Sequence, residues 1–132
     1  MKRSFARFRH ALVLAVALGI AVAGTAASAN TRPAKKAQFH GAIALDRDLG
    51  RSGFAVDRPT ARAAAVEALN QCGGGRCEVV LAFKSSCGAL ANNQKAKQWA
   101  TSTGATRQEA ETKALRRCTS ASCEIAVWAC TR

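Results

Sequence analysis

Tyrosine is absent from this chain of 132 residues, histidine occurs twice, and only eight carboxylates stand against twenty lysines and arginines. Those shortages remove most of the side chains from which acid–base catalysis is built. His40 is the one histidine beyond the first ten residues. Ser52, Ser85 or Ser86 could be combined with it and an aspartate into a triad on paper, but no serine sits in the spacing of a nucleophile elbow. A structural or exposed histidine is the simpler reading. No C-x-x-C pair occurs, which argues against redox-active cysteines. Gly73-Gly74-Gly75-Arg76 lacks the Lys-Ser/Thr of a phosphate loop and follows a helical pattern where such a loop would precede one. Asp46-x-Asp48-x-Gly50 echoes a calcium loop, with Asp57 at the twelfth position, yet Arg51 stands where the obligatory glycine belongs and the closing glutamate is missing. Both stretches read as turns. No enzyme, cofactor site or metal site is therefore expected.

A long apolar run is also lacking. Lys2, Arg3, Arg7 and Arg9 precede an apolar stretch from Ala11 to Ala23, which grades into Ala27-Ser28-Ala29. This is the pattern of a secretory signal peptide with an A-x-A cleavage site, so residues 1–29 are expected to be removed. A membrane anchor is the alternative, but the strongly apolar part falls short of the ~20 residues a spanning helix needs. The leader has neither a cysteine near the cleavage site to take a lipid nor an Arg-Arg pair. The expected working protein is 103 residues long, secreted or periplasmic, and without a stable membrane span. Its charge is about +8 once the four basic leader residues are set aside from the total of +12. Such a charge attracts acidic proteins and anionic envelope components. Nucleic acid is not the expected partner, because no basic stripe is interleaved with aromatics and export removes most such partners.

A repeated unit organises the rest. Thr60 to Glu78 and Thr106 to Glu124 align at an offset of 46 residues, sharing Thr60/Thr106, Ala64/Ala110, Ala68/Ala114, Leu69/Leu115, Cys72/Cys118, Cys77/Cys123 and Glu78/Glu124. Each copy reads as a helix ending in a cysteine, a turn, a second cysteine and a strand. Thr60 and Thr106 stand where helix N-caps belong, and Thr106-x-x-Glu109 is a capping box. Ala61, Ala64, Ala65, Ala68, Leu69 and Cys72 form one apolar stripe, and Ala110, Ala114, Leu115 and Cys118 repeat it, so both helices can lie close to a sheet. The glycines after Cys72 supply left-handed geometry for a C-cap. Arg116 and Arg117 complement the dipole of the second helix.

Upstream, residues 30–38 read as a flexible basic leader. HGAIAL and SGFAV, joined by DRDLGRS, read as a hairpin, and Gly88-Ala89-Leu90-Ala91 restarts the pattern of Gly41-Ala42-Ile43-Ala44. Val79, Leu81 and Phe83 are expected on one face of the third strand, with Ile125, Val127 and Ala129 in their places in the last. The expected fold is one α+β domain over residues 39–132, built from two pseudo-symmetric β-β-α-β halves (39–87 and 88–132), with a mainly antiparallel sheet and two helices.

All six cysteines lie in this part, and in a small exported chain they read as a disulfide framework. Two C-x4-C pairs could instead hold zinc, although ribbon knuckles more often have two intervening residues. The repeat narrows the pairings and favours Cys72 with Cys77, Cys118 with Cys123, and Cys87 with Cys130, the last expected to tie the two halves together.

Four surface side chains are candidates for a partner site: Trp128, Trp99, Arg116 and Arg117. On the expected last strand Trp128 points away from the helix-facing side, as a partner anchor or as part of a second small core under the hairpins.

HGAIAL, PTARAAAVEALNQCGGGRCEVV, SSCGALANN, ATRQEAETKAL and the terminal VWAC, taken in that order, resemble a small secreted bacterial domain of unknown function, family 4189, from about His40 to Arg132. The resemblance implies an exported, cysteine-containing domain and no transferable catalytic residues. The hairpins here carry Leu45 and Phe54 but fewer aromatics than that family's. The functional expectation is a non-catalytic binding module for a protein or an anionic envelope component, working through a basic, hairpin-bearing surface. An inhibitor or immunity protein against an envelope-directed enzyme is one alternative, and a secreted effector acting on a host or competitor is another.

Overall fold

The computed structural model describes residues 35–132. The expected signal peptide and residues 30–34 of the expected leader lie outside them. The elements follow the order β1 (His40–Leu45), β2 (Ser52–Arg58), α1 (Ala61–Cys72), β3 (Glu78–Lys84), β4 (Cys87–Asn93), β5 (Gln98–Gly104), α2 (Arg107–Arg117) and β6 (Glu124–Cys130). Each half is β-β-α-β. The antiparallel pairing is divided between two three-stranded sheets, ordered β2-β1-β3 and β5-β4-β6.

The reason lies in the central strands. In β1, Ala42 and Ala44 face α1, while Ile43 and Leu45 face the other way; in β4, Ala89 and Ala91 face α2 and Leu90 the other way. A strand apolar on both sides must be covered twice. Each sheet therefore takes its own helix on one face and meets the other sheet on the second, giving the layers α1, first sheet, second sheet, α2. The middle layer packs Ile43, Leu45, Phe83, Leu90 and Ala129 with Val56, Val80, Leu81, Trp99 and Val127.

Small residues set the helix-to-sheet distance, since the α1 core is Ala42, Ala44, Ala55, Ala64, Ala68 and Cys72. Gly53 continues this on β2: a Cβ there would run into the Ala68 carbonyl oxygen, Gln71 and the Cys72 amide. Gly53→Ala should cost about 1–3 kcal/mol through overpacking, read as a lower midpoint in denaturant with unchanged slope. An unchanged midpoint would show that the helix is not held at this distance.

Thr60 caps α1 by accepting from the Ala63 amide, and Thr106 caps α2 by accepting from Glu109. Gly73 closes α1 in the left-handed region, at φ 106. The disulfides are Cys72–Cys77, Cys118–Cys123 and Cys87–Cys130. The first two have equal Cα separations, 6.2 Å, and pin each helix end to the following strand.

The third has a different role from the one expected. Cys87 opens β4 and Cys130 closes β6, and they are direct cross-strand partners in the second sheet. The bond lies wholly within the second half, whose boundary falls after Lys84 instead of after Cys87. The positions matching Cys87 and Cys130 in the first half are His40 and Lys84, which face each other with no covalent link. No disulfide therefore joins the halves, which are held to each other by packing and by hydrogen bonds such as those of Gln94 and Lys97 to the Asp48 carbonyl.

Two bulges correct the expected strand faces. Pairing slips between Ile43 and Ala44 opposite β3 and between Leu90 and Ala91 opposite β6, leaving Val80 and Ala126 as extra residues. An extra residue reverses the alternation beyond it. Val79 is consequently exposed while Leu81 and Phe83 enter the middle layer. Ile125 packs towards α2 whereas Val127 packs between the sheets. Leu115, expected in the buried stripe of α2, is exposed.

Candidate partner-binding groove

The bulge in β6 also turns Trp128. It pairs with Ala89, whose side faces α2, so Trp128 lies on the helix side of its sheet and not away from it. The Arg107 guanidinium, in the first turn of α2, lies over the indole at 3.8 Å from the ring centroid. Such a stack holds the ring for about 0.5–1 kcal/mol at an exposed site.

β2 and β6 are the outer strands on one side of the sandwich. Between them runs an apolar groove of about 490 Å³, lined by Phe54, Val56, Val127, Trp128, Ala129 and Cys130. Phe54 and Trp128 are each 39% exposed, large apolar surfaces that a folded monomer gains nothing by showing to water.

The repeat provides an internal control. Phe54 faces Ile43 on β1; the matching residue on β5, facing Leu90 on β4, is Thr101. Trp128 matches Ala82, and Arg107 matches Ala61. The opposite side of the sandwich, between β3 and β5, thus carries small residues at these positions. It is closed by the Thr101 hydroxyl donating to the Val80 carbonyl at 3.5 Å and by Arg47 stacked 4.9 Å from the Trp99 centroid. The fold forms without Phe54, Trp128 and Arg107 on one side, so their presence on the other is not a requirement of the fold.

The remaining sequence candidates lie elsewhere. Trp99 is a half-buried member of the middle layer. Arg116 and Arg117 are exposed at the end of α2, where Arg117 donates to the Thr101 carbonyl at 3.2 Å. The structure does not bring any of the three to Trp128. At the same end of the sandwich the hairpin turns meet, with Lys97 and Gln94 both donating to the Asp48 carbonyl. Ser52 lies at the far end of the first sheet from His40, which pairs with Arg58 and Lys84. All six sulfurs are in disulfides and so supply no thiolate to zinc. The aspartate turn is closed by Asp46, which accepts from the Asp48 and Leu49 amides and from Arg51.

Four carboxyls are held below the usual carboxylate range, Glu67 among them through its hydrogen bonds from the Arg58 guanidinium. At Asp46 the Leu49 amide is the main cause, against the opposing effect of burial. At Asp57 it is the Arg132 amide, which ties the last residue to β2 beside the groove. At Glu109 it is the Lys113 ammonium, then the Ala105 amide. A carboxyl depressed on folding stabilises above its unfolded pKa and loses that contribution as pH falls through the folded value. The melting temperature should therefore be flat above pH 5 and fall below about pH 4. Asp57→Asn should flatten part of that fall, and an identical acid limb in the variant would contradict the assignment.

A small sandwich of two pseudo-symmetric repeats, stapled by three disulfides and carrying an apolar groove between β2 and β6, defines a class: a disulfide-bonded α+β repeat domain of an oxidising compartment, extracellular or periplasmic. Among the described residues no helix is long and apolar enough to cross a membrane. The chain belongs to the family described as a domain of unknown function (DUF4189), whose model matches residues 40–130. It is similar to the NMR structure of Rv1813c from Mycobacterium tuberculosis, with a TM-score of 0.54 and 29% sequence identity over 91% of this chain and 98% of that one. No curated protein matches it.

Proposed function

We propose that this chain is an exported, non-catalytic binding module, released by cleavage near Ala29, that recognises a protein through the groove between β2 and β6. The observation carrying this reading is the broken symmetry: Phe54, Trp128 and Arg107 on one side of the sandwich, Thr101, Ala82 and Ala61 at the matching places on the other. An aromatic pair with an arginine beside it is the composition of an interface hot spot. The disulfides support the same reading, because a pre-ordered edge loses little entropy on binding.

Trp128→Ala should weaken retention of a partner from envelope extract by at least about tenfold, as expected for an anchor worth 2 kcal/mol or more. The melting temperature should stay within a few degrees, since the matching residue Ala82 sits in a folded half. Thr101→Ala, on the opposite side, should leave retention unchanged. Equal retention by wild type and Trp128→Ala would remove the groove from consideration.

A further inference from the structure

The identity of the groove's occupant can be narrowed by its two strand edges and by the charges around it. β6 ends its sheet, so among the described residues the amides and carbonyls along its outer edge have no neighbouring strand. Its bulge lies at Ala126, which leaves Val127–Cys130 regular. The edge of β2 is less suited to pairing, because its register slips opposite His40 and Ala42 and Asp57 has φ 55. Along β6, Trp128 points to one side and Val127 and Ala129 to the other. A strand added there would set alternate side chains against the indole and into the groove.

The charges are arranged with one sign outward. Arg132 is 79% exposed while its partner Asp57 is 24% exposed, and Arg107 is 54% exposed against 21% for Glu111. These two pairs thus present their guanidiniums to solvent and hold their carboxylates inward. Near the hairpin turns the order is not kept: Arg47 is 54% exposed and Glu78 62%. Guanidiniums turned outward favour carboxylates, which they can grip with two hydrogen bonds. A second copy of the same basic chain would bring like charges together.

We infer that the occupant is an extended, acidic segment of another protein, with apolar residues at alternate positions, which pairs its backbone with β6 from Val127 to Cys130. This deepens the reading of the groove as a docking surface and rests on it.

The test is selection of random peptides of about twelve residues, the length of an added strand with its flanks, on the folded, disulfide-bonded protein. Enriched peptides should be acidic with alternating apolar residues, and should slow amide exchange in residues 127–130 at least about tenfold. N-methylation of alternate peptide amides should abolish binding, and Trp128→Ala should weaken it. A neutral or basic consensus, apolar residues at helical spacing, undiminished binding of the N-methylated peptide, or no enrichment at all would overturn the inference. So would binding to phosphatidylglycerol vesicles without peptide enrichment, or self-association in sedimentation. Binding lost in Trp128→Ala without protection of residues 127–130 would sink strand pairing and leave the docking surface standing. Binding unaffected by Trp128→Ala would sink both.

Discussion

Replacing Cys87 and Cys130 together by alanine should lower the unfolding free energy by ~4 kcal/mol, the entropy of closing a loop of that length in the unfolded chain. The bond spans a sequence separation of 43 and encloses β5 and α2, whereas each of the other two spans 5. Removing either local bond should cost about half as much, ~2 kcal/mol. Against a typical domain stability of roughly 5–15 kcal/mol, loss of the long bond leaves little in reserve. The melting temperature should fall by roughly 15–30 °C on the scale for domains of this size. The matching His40–Lys84 pair shows that the strands can face each other without the bond, so the variant should still fold at low temperature. Denaturant unfolding of the two double variants, Cys87→Ala/Cys130→Ala and Cys72→Ala/Cys77→Ala, makes the comparison. Equal losses would show that loop closure is not the origin of the stabilisation.

Phe83→Ala should cost about 3–5 kcal/mol, the range for emptying an aromatic site in a core. Its ring lies between the sheets against both Gly41 and Gly88, where a Cβ on either glycine would run into it. Those glycines match each other in the repeat, but the residue matching Phe83 is the buried Ala129. One ring fills a space that two could not share. Phe83→Ala/Ala129→Phe should therefore recover part of the loss by placing the ring on the other strand, at similar total volume. A double variant no more stable than Phe83→Ala alone would show that the middle layer does not tolerate this exchange.

The β-β-α-β halves and the helix termini could be read from the sequence because they depend on local chemistry. Thr60, Thr106 and Gly73 act within one turn of where they stand, and the alanine stripes carry the helical period. The bulges at Val80 and Ala126 could not be read, because an unpaired residue leaves no local signature and yet reverses every side chain beyond it. That reversal moved Trp128 to the helix side and separated Ile125 from Val127. The Cys87–Cys130 bond does not tie the halves together because Gly88 matches Gly41 in the repeat, which sets Cys87 in the place of His40 and leaves both cysteines within the second half.

The groove itself arises from strands far apart in the chain, β2 and β6, and no spacing rule joins Phe54 to Trp128. A signal was nevertheless present. Comparing the residues that differ between the repeats, Ala82 with Trp128 and Ala61 with Arg107, isolates side chains the fold does not need.

Differential amide exchange, with and without a partner captured from envelope extract, tests the central claim most directly. Protection confined to residues 52–58 and 124–130 is the predicted result. Protection of residues 92–97 and the end of α2, with β2 and β6 unchanged, would contradict it and return the binding surface to the basic hairpin end.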